Sequence, residues 1–505
     1  IKQEERIKMR MFMGNSGLQA PDGVDPSDNK FLKIIEDYAN VDLEVEVPLY
    51  TDYNTKLNLL LASNNLPDIV HAQSSTEAIR RAEEGAFIDL YDYWKSSPLV
   101  QKYIDATKME IAKSPRDGGY YRIPMKYDNA YQGTGIIARY DLIAKYNNNQ
   151  WPKTVEDWIE IARKLKADDP DAIPFSLRPA GRFSMYGGGV FPFLYGASGN
   201  RYDYEEQKVY AQIQLPEFKA ALETLAKLYK EGLFDPEFAT HDNAAWFAKK
   251  SSNNVLAEVN TMDQTLPAYH TQYRLSTEFP EQNTWEWLVA PPLEKYPDVV
   301  KDVKYTQSYA GTPITGHGLF ISSTCKYPDR AWKVIEGFAC DELYERIFWG
   351  WENETYIVQN GERIPKTEVL SDVNKHRWGV AYALIFGFNN AQDVAEKGAE
   401  IALGTEYFNK VKSHILAVDE VARRNGISPL AYVVGSDEAA KKSTEASDEA
   451  YAIATEYVMG RISSAEYDAR VADWTKKYGF IYDEYTQYIK EHKAELEAKG
   501  VRFDR

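Results

Sequence analysis

Between residues 7 and 73 the hydrophobic period changes at every element, and that alternation limits the folds open to the chain. RIKMRMFMGNSG reads as a strand ending at Gly14. DNKFLKIIEDYAN then places apolar residues at 31, 34, 35 and 38, a helical stripe. VDLEVEVPLY alternates at 41, 43, 45 and 47, the pattern of a half-buried strand. YNTKLNLLLASNNLP reads as a helix stopped by Asn and Pro. In NNLPDIVHAQSS, Ile69, Val70 and Ala72 are squeezed between a Leu-Pro-Asp turn and a polar loop, which suits a short buried parallel strand. This order is that of a doubly wound α/β half-domain. Such sheets place ligands beyond the carboxyl ends of their strands. His71 and Gln73 are therefore candidate site residues, together with Asn15 and Ser16 beyond the first strand.

Further along, GGYYRIPMKYDNAYQGTGIIARYDLIAKYN leads from a Gly-rich turn into two short strands, around 121–126 and 134–138. TVEDWIEIARKLKADD reads as a helix capped by Thr154, with Asp157 at the capping-box position. LPEFKAALETLAKLYKEGLF is a periodic helix with Gly232 as its C-cap. NNVLAEVN and HGLFISS are short strands, the latter followed by helical PDRAWKVIEGFACDELYERIFWG. From about 370 the chain reads as mostly helical and charged, without site character. No internal repeat or long linker interrupts it, and 505 residues suffice for two or more domains.

Apolar residues make up 44% of the chain, enough for real cores. A net charge of −17 argues against a nucleic-acid backbone as the main partner. No apolar run reaches the roughly 18 residues of a membrane span. The chain opens at Ile1 rather than a methionine, so a mature form with any targeting segment removed is expected. Cys325 and Cys340 are too far apart along a helix for a disulfide and are expected to be free. The seven scattered His residues give no zinc spacing.

In order, these pieces resemble the extracellular solute-binding proteins (family 1 type) of bacterial ABC sugar importers, most of all the large Gram-positive lipoproteins. The resemblance is carried by LLLASNNLPDIV, YYRIPMKYDN, GIIARYDLIAKY…WPKTVEDWIEIARKLKADDPD, LPEFKAALETLAKLYKEGLFDPEF and HGLFISSTCKYPDRAWKVIEGFACDELYERIFWGWENETY. It implies a two-lobed α/β fold of the periplasmic-binding-protein kind. Each lobe would hold a mostly parallel sheet with flanking helices, the ligand cleft would lie between them, and the C-terminal extension would be helical. On that template one lobe takes 1–124 and 285–350, and the other takes 125–284 and 351–505. The family also implies an oligosaccharide ligand, delivery to ABC permease subunits, a monomer, and a lipoprotein anchored to the outer face of the cytoplasmic membrane. Some large members carry a calcium loop after the helix ending in DDPD. Here Asp168, Asp169 and Asp171 are present, but Ala172, Ile173 and Pro174 replace further oxygen ligands, so a plain helix end is expected and no cofactor.

A sugar site pairs carboxamides, carboxylates and Arg with flat aromatic platforms, because sugars present hydroxyl edges and apolar faces. The loops supply Asn15, His71, Gln73, Tyr127, Asp128, Asn129, Tyr131, Arg178, Tyr186, Glu258, Asn260, Asp263, His317, Trp351 and Glu352. Each has a plainer reading. Asp128 and Asn129 can form a turn, His317 can be structural, and Arg178 can sit in an ion pair. Of the tryptophans at 349 and 351, Trp351 follows the expected helix end and is the expected platform, with Trp349 packed inward. Glu258 and Asp263 also define a rival, a secreted glycoside hydrolase working through a carboxylate pair. No nucleophile elbow, phosphate loop or dinucleotide fingerprint suggests other chemistry.

Overall fold

The structure, a computed structural model, describes residues 5–504 except 17, 50, 51, 64, 128–130, 132, 179–181, 185–188, 253, 266–284, 371, 373, 388–395, 397, 398 and 402, and except the side chains of 243, 244, 247, 251, 252, 263 and 264. Its strands are β1 (Ile7–Phe12), β2 (Val41–Glu46), β3 (Ile69–Ala72), β4 (Ile123–Lys126), β5 (Thr134–Arg139), β6 (Arg201–Asp203), β7 (Lys208–Tyr210), β8 (Ala257–Thr261), β9 (Trp287–Val289), β10 (Ile314–Ile321), β11 (Tyr356–Gln359) and β12 (Glu362–Pro365). The chain divides into two compact units, Ile1–Ala130 with Thr312–Ala402 and Tyr131–Gly311 with Leu403–Arg505.

In the first unit the strand order is β2-β1-β3-β10-β4. β1 runs parallel to β2 and β3, and β10 runs antiparallel between β3 and β4. The helix Lys30–Ala39 starts where Asn29 Oδ1 accepts from the Phe31 and Leu32 amides at 3.1 and 3.0 Å. It ends at Asn40, which takes a left-handed conformation at φ +54°. Its buried face is Phe31, Leu32, Ile35 and Ala39, while Tyr38 faces solvent. The expected stripe is thus rotated. Glu36 turns inward and accepts from the Leu43 amide at 2.8 Å, coupling the helix to β2.

The second unit's main sheet is β8-β5-β9. Both of its ladders are antiparallel, against the expectation of mostly parallel sheets in both units. Apolar alternation reports burial and carries no information on strand direction, so for this unit the parallel expectation rested on the family resemblance. Two helices frame the core. Val155–Asp168 carries the expected capping box: Thr154 Oγ1 accepts from Asp157 N at 3.1 Å, and Asp157 accepts from Thr154 N at 2.9 Å. Pro216–Glu231 ends at Gly232 with φ +75°, a backbone setting that favours glycine. The C-terminal helices Asp437–Val458 and Ser464–Glu491 bring Ile453, Trp474, Tyr478 and Ile481 into the same core as Trp158 and Leu225. The tail is therefore structural packing and not an appendage.

The expected lobe boundaries need correction. Residues 285–311 belong to the second unit, because β9 completes its sheet with Val289 opposite Ile137. Residues 351–402 belong to the first, where Trp378, Val380 and Phe386 join the core containing Ile35 and Ile335. β4 pairs with β10, so the Gly118–Pro124 stretch lies within the first unit and the chain leaves it at 130–131. Both cysteines are free. Among the described residues no helix is long and apolar enough to cross a membrane.

Candidate functional site

In the first unit, β1 and β3 end side by side, with Phe12 opposite Val70. Tyr53 fixes the end of β3: its hydroxyl donates to the His71 carbonyl at 2.7 Å and accepts from the Gln73 amide at 2.8 Å. Gly14 lets the two loops meet, since a Cβ there would lie 2.5 Å from Gln73 Cδ and 2.7 Å from the Tyr53 ring. The Gln73 carboxamide lies 3.0 Å from Ser16 Oγ. Turned with its oxygen to the loop, it accepts from Ser16 N at 2.6 Å and Asn15 N at 3.3 Å. Asn15 itself is buried.

Across the sheet, Leu319 of β10 stands opposite His71, and the His317 ring packs on the His71 ring with centroids 5.4 Å apart. His317 Nδ1 and His71 Nε2 are 3.3 Å apart, so one of the two donates to the other. Burial holds His317 down at about 4. Burial also pushes His71 well below its ordinary value, the His317 charge adds to that effect, and a backbone hydrogen bond with Gly14 opposes it. Both rings are neutral at physiological pH. One wall of strand ends thus collects Asn15, His71, Gln73 and His317, all four of them expected from the sequence. Tyr127 follows β4, where its amide donates to the Pro313 carbonyl at 2.8 Å.

In the second unit, Glu258 and Asn260 lie on β8 opposite Ile137 and Gly135. Glu258 is 2% exposed, and Lys250 at 1% donates to it at 2.8 Å. The Lys250 ammonium sits 4.7 Å from the centre of the Trp246 ring. Burial lowers the Lys250 pKa, Glu258 partly offsets this, and the nearby Arg178 charge adds to the lowering. The expected Arg178 and Glu258 therefore do come together, around a lysine the sequence reading did not single out. Trp246 and Lys250 stand four apart on the helix Asn243–Ser252, a spacing that could have flagged them. Beside them Asp235 is fully buried, accepts from Ser176 Oγ at 2.7 Å and pairs with Lys249 at 3.0 Å and with His241 at 3.1 Å. His241 Nε2 donates to the Leu177 carbonyl at 2.7 Å. Tyr131 is half-buried at the start of this unit. Asp128, Asn129, Tyr186 and the Asp263 side chain lie outside the described residues.

Trp351 is not placed as expected. One face of its ring carries the Lys30 ammonium at 3.6 Å, and the ring packs on buried Phe31 at 5.5 Å. The platform face is occupied because the helix preceding Gly350 seats the residue on the first unit's core. Trp349 is equally peripheral, meeting Tyr356 edge-on at 5.8 Å. Glu352 is exposed, and its backbone bridges to Tyr356. Trp351→Ala is expected to cost about 2 kcal/mol, less than the ~3–5 of a fully buried ring, with oligosaccharide affinity unchanged. Calorimetric titration beside thermal melts checks this. Lost affinity at full stability would restore the platform role.

The Asp168–Asp171 turn is engaged by its neighbours. Asp168 accepts from Lys145 Nζ and Tyr146 Oη, each at 3.0 Å, and Asp169 accepts from the Asp171 amide at 3.1 Å. Among the described residues no group of three or more His, Cys, Asp or Glu could hold a metal ion.

Both α/β units gather polar side chains at their sheets, the first at the ends of β1 and β3 and the second along β8. The chain belongs to the family of bacterial extracellular solute-binding proteins, whose pattern it matches over residues 25–337. It is similar to Lipoprotein LipO of Bacillus subtilis, 28% identical over 239 residues, 44% of each chain. It is also similar to the fructooligosaccharide ABC transporter substrate-binding protein FusA of Streptococcus pneumoniae, 26% identical over 49% of this chain and 48% of that one. The matched stretch thus spans about half the length of these relatives. Among solved structures, alginate-binding protein AlgQ2 without calcium ion superposes with a TM-score of 0.72 at 17% identity, over 97% of this chain and 99% of that one. That likeness establishes the fold.

Proposed function

We propose that this protein is the substrate-binding component of an ABC importer. It captures an oligosaccharide outside the cell and delivers it unaltered to the permease in the membrane. The observation that carries this reading is the family match over residues 25–337. The substrate class is supported by the name of FusA, and attachment to the outer face of the membrane through a lipid anchor by the name of LipO. The chemistry of the two clusters suits sugar hydroxyls: neutral imidazoles, a carboxamide and cationic donors over aromatic walls. We read the protein as a monomer and not as an enzyme. A glycoside hydrolase needs two carboxylates flanking its sugar, and Glu258 is enclosed and committed to Lys250 at 2.8 Å. We read the Asp168–Asp171 turn as a helix end without a resident cation, since Asp168 is held by Lys145.

Thermal melts across a panel of neutral and acidic oligosaccharides test this. A true ligand adds about 2.7 kcal/mol of stability at a hundredfold excess over Kd. No reducing ends appear during incubation, and EDTA leaves the melting temperature unchanged. Sustained release of reducing ends would overturn the reading.

A further inference from the structure

The first unit contains an enclosed cation that has no acid partner among the described residues. Arg122 directly precedes β4, which pairs with β10 at Gly318 opposite Pro124 and next at Ile314 opposite Lys126, an irregular register that bulges β10 between them. Gly318 makes room for the arginine: a Cβ there would lie 3.1 Å from both Arg122 Cβ and Cδ. The aliphatic stem therefore lies flat over the glycine. From there Nη1 reaches the Thr315 carbonyl at 3.4 Å, a long contact for an N–H donor. Nε is buried and makes no hydrogen bond. Among the described residues no carboxylate lies within ion-pair distance of Arg122, and Nη2 donates to none of them.

Other enclosed arginines of this chain are treated differently. Arg139 closes on Asp141 at 2.6 and 2.8 Å, and Arg201 on Glu217 at 2.9 Å. The acid nearest Arg122 in sequence is already engaged, since Asp117 accepts from the Tyr121 hydroxyl at 2.7 Å and the Gly119 amide at 2.9 Å. Ser75, which borders the same glycine, gives its proton to the Gly316 carbonyl at 2.5 Å. With burial pulling it to about 10, Arg122 remains charged at neutral pH. An enclosed, unpaired charge is costly, and its unused donors fit a carboxylate. Arg122 as a whole residue is half-buried and not fully enclosed, so a ligand can reach it.

We propose that Arg122, at the strand-end wall formed by β3 and β10, reads an acidic group on the captured glycan, the carboxylate of a uronic-acid unit. This rests on the reading of the protein as an oligosaccharide binder. A free anion brings only its charge to Arg122, whereas a uronic-acid unit adds the contacts of its sugar body.

The test uses calorimetric titration with trisaccharides of galacturonate, mannuronate and guluronate, each beside its methyl ester, with acetate and phosphate as free-anion arms. The wild-type protein is expected to bind at least one acid form tenfold or more tighter than its ester, and neither free anion. Arg122→Met preserves the stem and removes the charge. It is expected to bind that acid and its ester alike and to melt no lower than wild type, because an unpaired enclosed charge has gone. Arg122→Lys, which keeps the charge without the planar fork, retains part of the preference and serves if the methionine variant fails to fold. Acid and ester forms binding wild type equally would overturn the proposal, as would neutral oligosaccharides alone binding; in both cases the reading as an oligosaccharide binder survives. A methionine variant that melts lower with its acid preference intact assigns Arg122 to packing and overturns it too. If no oligosaccharide of any kind binds, both readings fall together.

Discussion

Glu258→Ala is expected to destabilise the second unit by about 3–5 kcal/mol, because it removes the carboxylate that faces the Lys250 ammonium in a site that is 1% exposed. The loss is larger than that of a surface ion pair, worth roughly 0–1 kcal/mol. The nearby Arg178 charge also opposes the lysine. Replacing both partners, Lys250→Met with Glu258→Leu, removes the two desolvated charges together and is expected to recover most of the loss. Urea unfolding followed by tryptophan fluorescence reads this directly, since buried Trp246 lies beside the pair. A single substitution costing under about 1 kcal/mol would mean that the pair is hydrated. The double variant also bears on function. If it folds and binds oligosaccharide as tightly as wild type, Glu258 is a strut beneath the site; if binding fails while folding holds, Glu258 touches the sugar.

The sequence carried some of this and could not carry the rest. Local rules were legible: the Thr154–Asp157 capping box and the Gly232 C-cap depend on a few adjacent residues, and both stand as expected. Strand ends were legible too, which is why Asn15, His71, Gln73 and His317 meet. Long-range assignment was not. Segment 285–311 looked like a return to the first unit, and only its pairing with β5 shows otherwise. The apolar run Trp378–Phe386 was hidden in a tail that averages as charged. The position of Trp351 after a helix end says nothing of Lys30, more than three hundred residues away in sequence, whose ammonium lies over the ring. Lys250 and Arg122 were overlooked for the opposite reason. A lysine on a helix, like an arginine just before a strand, looks like surface until burial and partners are known.

Acidification from pH 7 toward 4 is expected to unfold the first unit in step with three histidines. Burial holds His317 and His376 at about 4 and keeps His71 well below its ordinary value. Unfolded, each titrates near 6.5. Below that pH the unfolded chain binds protons that the folded one refuses, so stability falls as pH falls. The decline begins near 6.5. For His317 and His376 it levels off once pH passes below about 4, where their folded forms also protonate. Each of these two then contributes a loss of roughly 3 kcal/mol. His376 is the cleaner test, because it stands apart from the strand-end cluster. Its Nε2 donates to the Ile347 carbonyl at 2.7 Å, and its ring meets Phe31 edge-on at 5.4 Å. Lys30 nearby lowers its pKa further, while Glu354 and the backbone carbonyls oppose this. His376→Gln keeps a donor for Ile347 and removes the titration. It is expected to flatten the pH dependence of first-unit stability by about one histidine's share, leaving the second unit's profile unaltered. Hydrogen exchange of amides in β1, β3 and β10, followed from pH 7 to 4 and corrected for intrinsic rates, separates the first unit from the second. Equal slopes for wild type and His376→Gln would show that His376 is protonated in the folded protein. A first unit that keeps its stability down to pH 4.5 would show the same of all three.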